Sequence, residues 1–480
     1  VVSLCASVAG GKTRVNFTTA NFNPPASADD VWALLAKNSV PLAAARVSLA
    51  DAAGRILRED VCAPEDQPAF DRSSVDGFAV RLDDAAESFC VVDEIRAGDW
   101  KPRTLQPGEA VRLATGGALP SDGLQVVMKE DVTLDGSTLH VTRRSRATNI
   151  RVRGEDARRE QVLLSAGAEL SPGALALLAS VGAAQPLVTR LPRVLHLATG
   201  NEIVAPDQTP ARGQIRDSNS TLVRAFVRHW NAALVQQRLP EDESAVRAVL
   251  GSFFEKPAAL PLPSPLPLGE GTDSRALKNS DATRASDATE LAKTRQTHLP
   301  LPAGEGRGEG ESAEKFQRIQ PDLVLISGGA SVGEHDFTRR LLVEAGFEIL
   351  VSKTNLRPGK PLIVARRGAT LAFGLPGNPL AHFMCLNLFV RAALNRLCGV
   401  EKSFMQRGQL AVPLTDATNA RETFWPARVD FSGGGARLTP LRWSSSGDLT
   451  ALASANALLR VAPNQADLPA GTTVEFIPTV

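Results

Sequence analysis

Apolar residues near the start of the chain fall at helical spacing. Val31, Leu34, Leu35 and Ala36 recur on one side of a 3.6-residue repeat, and residues Ala28 to Ala53 read as helix, strand, helix. From Asp60 to Leu163 the period shortens. Gly77 to Val80, Ala110 to Leu113, Gln125 to Glu130 and Thr138 to Arg143 are short β-rich pieces separated by Gly, Pro and Asp turns, which predicts a small mostly-β domain. Ser171 to Val181 returns to helix, with Ser171 as N-cap, Pro172 in the first turn and Gly182 at the end.

From Leu191 to Leu397 the pattern becomes strand, Gly-containing turn, helix, repeated. Val194 to Ala198 is an apolar strand ending in Thr199-Gly200-Asn201-Glu202, and Asp217-Ser218-Asn219 caps a helix from about Ser220 to Trp230. Leu323 to Ile326 ends in the run Ser327 to Gly333, followed by a helix through Leu341, Leu342 and Ala345. Leu371 to Phe373 ends in Gly374-Leu375-Pro376-Gly377-Asn378-Pro379, with Asn378 as a cap and a long helix to about Leu397. This is the signature of an open parallel sheet covered by helices, where ligands collect at the carboxyl ends of strands. The tail alternates in short runs, as a separate small β domain would.

The predicted fold is therefore multidomain α/β. Its parts are a discontinuous helical/linker domain (24–58 and 150–188), a mostly-β domain (59–149), a central α/β domain (190–400) and a C-terminal β domain (404–480). Pro257 to Glu314 interrupts the third. It holds two near copies of a Pro-Leu-Pro…Gly-Glu-Gly run around polar low-complexity sequence, and lacks the apolar periodicity to offset its ordering entropy. It reads as a disordered insertion.

Composition narrows the function. A formal net charge of +1 gives no global field for nucleic acid or an anionic membrane, so any anion site is local. No apolar run has the length of a membrane helix. The beginning of the sequence lacks the pattern of a secretory signal. Five cysteines without a C-x-x-C pair argue against a zinc site and a disulfide scaffold, and fit a cytoplasmic protein. The histidines show no metal-ligand spacing, and no G-x-S-x-G serine-hydrolase elbow occurs.

Four clusters carry candidate chemistry. The turn with Ser327, Gly328, Gly329, Ser331 and Gly333 reads as an anion loop or a plain turn. Asp322 before its strand and Asp336 after it are candidate ligands for a hard cation, although an acid in a first helical turn also serves as a dipole partner. Lys353, Arg357 and Lys360 surround a Pro-Gly turn, either a solvated basic loop or an oxyanion clamp. Asp71 to Ala79, containing Asp76, and Arg151 to Asp156 are polar turns whose plain readings are an Asx turn and surface salt bridges.

Together these pieces resemble the molybdopterin molybdenumtransferase family, which includes the C-terminal part of gephyrin. The resemblance runs from about Asp29 to Ile477, the insertion excepted. It rests on Arg72-Ser73-Ser74-Val75-Asp76-Gly77-Phe78-Ala79, Thr115-Gly116 with Pro120 and Val126-Val127-Met128-Lys129-Glu130, and Arg153-Gly154-Glu155-Asp156. Thr199 to Glu202, Ser327 to Gly333 with Asp336, Arg357 to Pro361 and Leu375 to Pro379 complete it. It implies insertion of molybdate into adenylylated molybdopterin with hydrolysis of the adenylate, giving molybdenum cofactor and AMP with the help of magnesium. It also implies a homodimer with a cleft between subunits, and the neighbouring adenylyltransferase and client molybdoenzymes as partners. On that pattern Asp322 and Asp336 handle metal and phosphate, and Glu202 lies at the pterin end. Lys353, Arg357 and Lys360 meet the oxyanion, and Asp76, Thr115 and Asp156 come across the interface. Ser327, Gly328, Gly329, Ser331, Gly333, Pro376, Gly377 and Asn378 line the cofactor.

Departures from the pattern are Arg357 where Lys is frequent, Asn201 where Asp is usual, Phe78 and Phe337 in place of Tyr, and Asp122-Gly123-Leu124 in place of Gly-Ala-Asp. The competing reading is a scaffold of the same fold without turnover. No covalent nucleophile stands out, which suits a mechanism of positioning and electrostatics.

Overall fold

The computed structural model describes residues 25–240, 242–254, 320–328, 335–401 and 403–480. Gly329, Ser331, Gly333, the side chain of Asp336 and the expected insertion at Pro257 to Glu314 lie outside the described residues.

The central sheet has six strands in the order Ala233–Leu239, Arg193–Thr199, Leu323–Ser327, Thr370–Leu375, Ile363–Arg367, Glu348–Val351. The first four run parallel, and Ile363–Arg367 is antiparallel to both of its neighbours. Its central strands are buried on both faces, so alternate residues enter two separate cores. Val194, Leu323, Leu325, Leu371, Phe373 and Leu375 pack toward helices Ala28–Asn38 and Ser218–Val227 and the helical run from Pro379 to Cys398. Leu195, Leu197, Val324, Ile326 and Ala372 pack toward Glu243–Phe254 and His335–Glu344. The run Pro379 to Cys398 contains a π-helical turn at Leu386–Val390 and ends at Gly399 in the left-handed region.

The antiparallel hairpin and the Ala233–Leu239 edge strand were not expected from the pattern. Arg366-Arg367-Gly368 hides the hairpin, because a two-residue turn needs only one permissive residue, here Gly368 at φ +58°. The edge strand is Gln-rich and half-buried.

Helix Ala28–Asn38 starts with a reciprocal Ser27–Asp30 capping box. Trp32 on that helix donates from Nε1 to the Leu388 carbonyl (2.8 Å). Strand Ala44–Arg46 pairs antiparallel with Leu187–Thr189, joining two segments far apart in sequence.

Between these segments lies a mixed six-stranded sheet in the order Leu124–Met128, Gly77–Arg81, Glu109–Leu113, Ser88–Ile95, Thr138–Val141, Val132–Asp135. The C-terminal sheet runs Leu356–Arg357, Glu422–Asp430, Arg437–Pro440, Gln406–Leu410, Thr473–Pro478, Ala457–Val461, and Glu422–Asp430 also pairs with Ala457–Val461. That extra pairing closes five strands into a small barrel, and Leu356–Arg357 is a sixth strand lent by the α/β unit.

Gly77 opens the strand Gly77–Arg81 of the mostly-β sheet and is paired on both sides, with Leu113 and with Met128. A Cβ there would lie 2.1 Å from the Val127 carbonyl oxygen, a backbone atom that cannot swing aside. Gly77→Ala is expected to lower the unfolding free energy by about 2 kcal/mol or more, since it forces backbone displacement in a packed sheet. A melting curve superimposing on that of the parent chain would refute this.

Candidate functional site

Parallel register aligns three strand ends. Ala198 is level with Ser327, and Ser327 is level with Leu375. The residues that follow, Gly200 to Glu202, Gly328 and Pro376 to Asn378, therefore emerge side by side along the carboxyl edge of the sheet. Contact between them is close. Gly328 has φ +99°, and a Cβ on it would lie 2.0 Å from the Thr199 carbonyl oxygen, while a Cβ on Gly377 would sit 4.0 Å from Gly328 Cα. Only glycine fits at 328.

Polar side chains support this edge from below. Asp217 caps Ser218–Val227 by accepting from Ser220 N (2.9 Å), and it also meets Arg238 at 3.3 Å. Asn219 Nδ2 donates to the Gly377 carbonyl (2.7 Å). His382 lies 3.1 Å from the Pro376 carbonyl through Nδ1, and its buried Nε2 has no partner among the described residues. His196 lies between the Ser327 hydroxyl (2.6 Å) and Gln236 (2.7 Å). Burial pushes the His196 imidazole down to about 3 and His382 down to about 4, so both are neutral near pH 7. Glu202 is exposed and folds its carboxylate back toward Gly200.

The basic loop leaves the same edge of the sheet, after Glu348–Val351. It closes on itself, with Thr354 N donating to the Lys360 carbonyl (3.0 Å) and Thr354 Oγ1 to the Gly359 carbonyl (2.9 Å). Lys353 and Lys360 stay exposed. Arg357 lies over the Trp443 ring, 5.0 Å from its centroid, so its guanidinium is oriented by a cation–π contact.

Trp443 belongs to a barrel loop that the sequence reading passed over. In that loop Ser446 Oγ accepts from Asn378 Nδ2 (2.9 Å), and the Ser446 carbonyl accepts from Leu380 N (3.0 Å). Asn378 therefore occupies the N-cap position without a side-chain cap, and the barrel supplies the acceptor instead. The signal that could have found it is the run Ser444-Ser445-Ser446-Gly447-Asp448 before a helix that Asp448 caps. Asp242 was passed over in the same way; it follows the carboxyl end of the edge strand Ala233–Leu239 and accepts from Ser244 N at 3.0 Å.

Asp322 requires a correction. It precedes Leu323–Ser327, so it lies at the amino end of that strand, about 16 Å from the turn that follows Ser327. Its carboxylate is 7% exposed and is held by Arg190 (2.6 and 2.7 Å) and Arg193 (2.9 Å to the backbone N). Burial works to raise its pKa, yet the two arginines hold it below the usual carboxylate range. Asp322 is a structural ion-pair residue at the amino end of its strand, and the side chain of its expected metal partner Asp336 lies outside the described residues. Among the described residues no group of three or more His, Cys, Asp or Glu side chains is placed to hold a metal.

Asp76 and Thr115 are brought together on the mostly-β sheet. Asp76 accepts from Thr115 N (2.8 Å) and Thr115 Oγ1 (2.7 Å), and Lys129 Nζ reaches its other oxygen at 3.1 Å. The Thr115 hydrogen bonds, then Lys129, hold this exposed carboxyl well below its ordinary range. Lys129, quoted in the sequence motif but not assigned a role there, belongs to this cluster. Asp156 is paired with Arg151.

An open α/β sheet with convergent glycine turns, flanked by a mixed β sheet and a small barrel, is the class of protein these features define. Family models match in chain order: the MoeA N-terminal region (domain I and II) at residues 26–182, the probable molybdopterin binding domain at 309–396, and the MoeA C-terminal region (domain IV) at 407–479. Together they match well over half of the chain. A molybdopterin molybdenumtransferase of Staphylococcus aureus (strain Mu50) is 29% identical over 453 residues, covering 92% of each chain. One from Staphylococcus epidermidis is 26% identical over 474 residues, covering 95% of this chain and 96% of that one. The crystal structure of a molybdopterin biosynthesis MoeA protein from Pyrococcus horikoshii shares the fold, with a TM-score of 0.67 at 24% identity, over 95% of this chain and 99% of that one. The chain belongs to the molybdopterin molybdenumtransferase family and is a transferase of molybdenum cofactor biosynthesis. No helix among its described residues is long and apolar enough to cross a membrane.

Two expectations follow. Asp322→Ala leaves Arg190 and Arg193 without their buried partner and should cost about 3 kcal/mol of stability by denaturant titration; a loss below about 1 kcal/mol would contradict the ion-pair assignment. The two buried histidines have folded pKa values below the unfolded value of about 6.5, so below that pH the unfolded chain binds protons that the folded chain does not. Stability should be flat with respect to these groups above pH 6.5. It should fall toward pH 5 by on the order of 1 kcal/mol per pH unit for each histidine. A pH-independent urea midpoint between 7 and 5 would rule this out.

Proposed function

We propose that this chain inserts molybdate into adenylylated molybdopterin, releasing AMP and molybdenum cofactor. The observation that carries the reading is the meeting of three glycine turns and one basic loop at the carboxyl edge of a single sheet. Two anionic reactants, an adenylate and an oxyanion, repel each other in water. Bringing them together requires fixed positive groups and oriented backbone N–H groups. Lys353 and Lys360 act as exposed point charges for molybdate, and Arg357, steadied by Trp443, offers a planar fork. Gly328 and Gly377 let the backbone approach the ligand closely. Asn378 and Ser446 close the far wall, and Glu202 lies at the pterin end.

We extend the reading to a homodimer in the cytoplasm, in which Asp76 with Thr115 and Lys129, and Asp156, complete the cleft of a second copy. What supports this is that the Asp76 cluster and the basic loop stand on different sheets, so that a second copy can bring them to one cleft. The adenylyltransferase that makes the substrate and the molybdoenzymes that use the product would be its partners. A scaffold without turnover is disfavoured by the retained basic loop.

Reconstitution of an apo-molybdoenzyme with this protein, molybdate and the adenylylated pterin tests the reading. Cofactor transfer should accompany stoichiometric AMP release, and Lys353→Ala should cut the rate roughly 100-fold, the scale of losing one charge that stabilises a transition state. Release of AMP without cofactor formation, or full activity in Lys353→Ala, would reject it. For the dimer, mixed Asp76→Ala and Lys353→Ala chains should regain activity in verified heterodimers, because one cleft is then intact.

A further inference from the structure

Under the Ser327–Gly328 turn a polar chain runs through an otherwise apolar sheet face. His196 shares that face with Val194, is 0% exposed, and is flanked in its strand by the fully buried Leu195 and Leu197. An aliphatic residue would fill the position with no polar atoms to satisfy. Nε2 of His196 is 2.6 Å from Ser327 Oγ on one neighbouring strand, and Nδ1 is 2.7 Å from Gln236 Nε2 on the other.

The hydrogens can be placed by elimination. Gln236 Nε2 also lies 2.9 Å from the Ser220 carbonyl, which can only accept, and Gln236 Oε1 accepts from Arg224 Nη2 at 3.1 Å. The amide orientation is thereby fixed from both ends, and Nε2 donates to Ser220 and to His196. Nδ1 of His196 is therefore the bare nitrogen, and the hydrogen of the neutral ring is on Nε2, donated to Ser327 Oγ. A hydroxyl that accepts from His196 cannot donate back to it, so its own hydrogen must turn elsewhere.

We propose that His196 is a positioning residue for the candidate site: with its tautomer set by Gln236, it holds the Ser327 hydroxyl as a hydrogen-bond donor to an anionic oxygen bound at the Gly328 turn. This rests on the proposed adenylate chemistry for the identity of the anion. The tautomer itself does not depend on it. Arg224, Gln236, His196 and Ser327 thus form a relay across three strands and a helix that sets the polarity of one hydroxyl at the edge where the turns converge.

Nitrogen-15 NMR of histidine-labelled protein reads the tautomer directly. The expected state of His196 is protonated Nε2 and bare Nδ1; a protonated Nδ1 overturns the proposal. Calorimetric titration with AMP reads the consequence. Ser327→Ala should weaken AMP binding roughly tenfold, the scale of one hydrogen bond to a charged group. His196→Phe should weaken it comparably, and the double variant should be no weaker than Ser327→Ala alone. His196→Gln, whose amide can still donate to Ser327, should recover most of the affinity. Additive losses in the double variant, or parental affinity in His196→Phe, would show that the residue only fills the core and would overturn the proposal. Gln236→Leu serves if His196→Phe does not fold, and should release the tautomer and weaken AMP binding; an unchanged tautomer in that variant also overturns it. If the parent chain does not bind AMP, the adenylate reading falls, and the tautomer alone decides the relay.

Discussion

The alignment of Ala198, Ser327 and Leu375 in one parallel register is the constraint on which the rest of the site depends. Adjacent parallel strands lie about 4.8 Å apart, so chains that leave them at the same level are in van der Waals contact from their first residue. That leaves no room for a side chain at 328, where the Thr199 carbonyl already occupies the Cβ direction. A shift of one residue in any of the three strands would reverse its two faces, put residues shaped for one core into the other and move its turn away from its neighbours. The hydrophobic sorting of Val194, Leu323, Leu325, Leu371 and Phe373 to one face, against Leu195, Leu197, Val324, Ile326 and Ala372 to the other, is therefore also what specifies the geometry of the ligand edge.

Electrostatics then separates the two ends of the sheet. At the amino end, Asp322 is shared between Arg190 and Arg193 in a half-buried ion-pair cluster. At the carboxyl end, the titratable groups beneath the turns are neutral imidazoles and Asp217 paired with Arg238. Cations of the rim, Lys353 and Lys360, remain in solvent. Charge that could meet a ligand is kept on the surface, while the layer below it is held mainly by hydrogen bonds between neutral groups.

Much of this was legible in the chain itself. Val194 to Ala198, Leu323 to Ile326 and Leu371 to Phe373 stand out as apolar runs because central parallel strands are buried on both faces. Each ends at glycine because the turn needs it. The hairpin strand Ile363–Arg367 was not legible, since its last two residues are arginines that leave the core for Asn38, Glu348 and the Ala345 carbonyl. The role of Asp322 was misread because nearness in sequence to Gly328 was taken for nearness in space. A residue ahead of a parallel strand is one full strand away from the loop behind it. The Trp443–Ser446 loop was invisible for the opposite reason, as it reaches the edge from the far end of the chain.

The loan of Leu356–Arg357 to the barrel ties two parts of the molecule mechanically. Those two residues pair with Glu422 and Thr423, Arg357 rests on Trp443, and Ser446 sits on Asn378. The barrel thus grips the basic loop and the third turn at once, like a hand on two levers of one latch. A rigid tilt of the barrel would carry Arg357 and Ser446 in the same sweep, widening the oxyanion side and uncapping the helix after Asn378 together. Substitutions deep in the barrel, far from any ligand, would then act on the reaction by changing how tightly that grip is held.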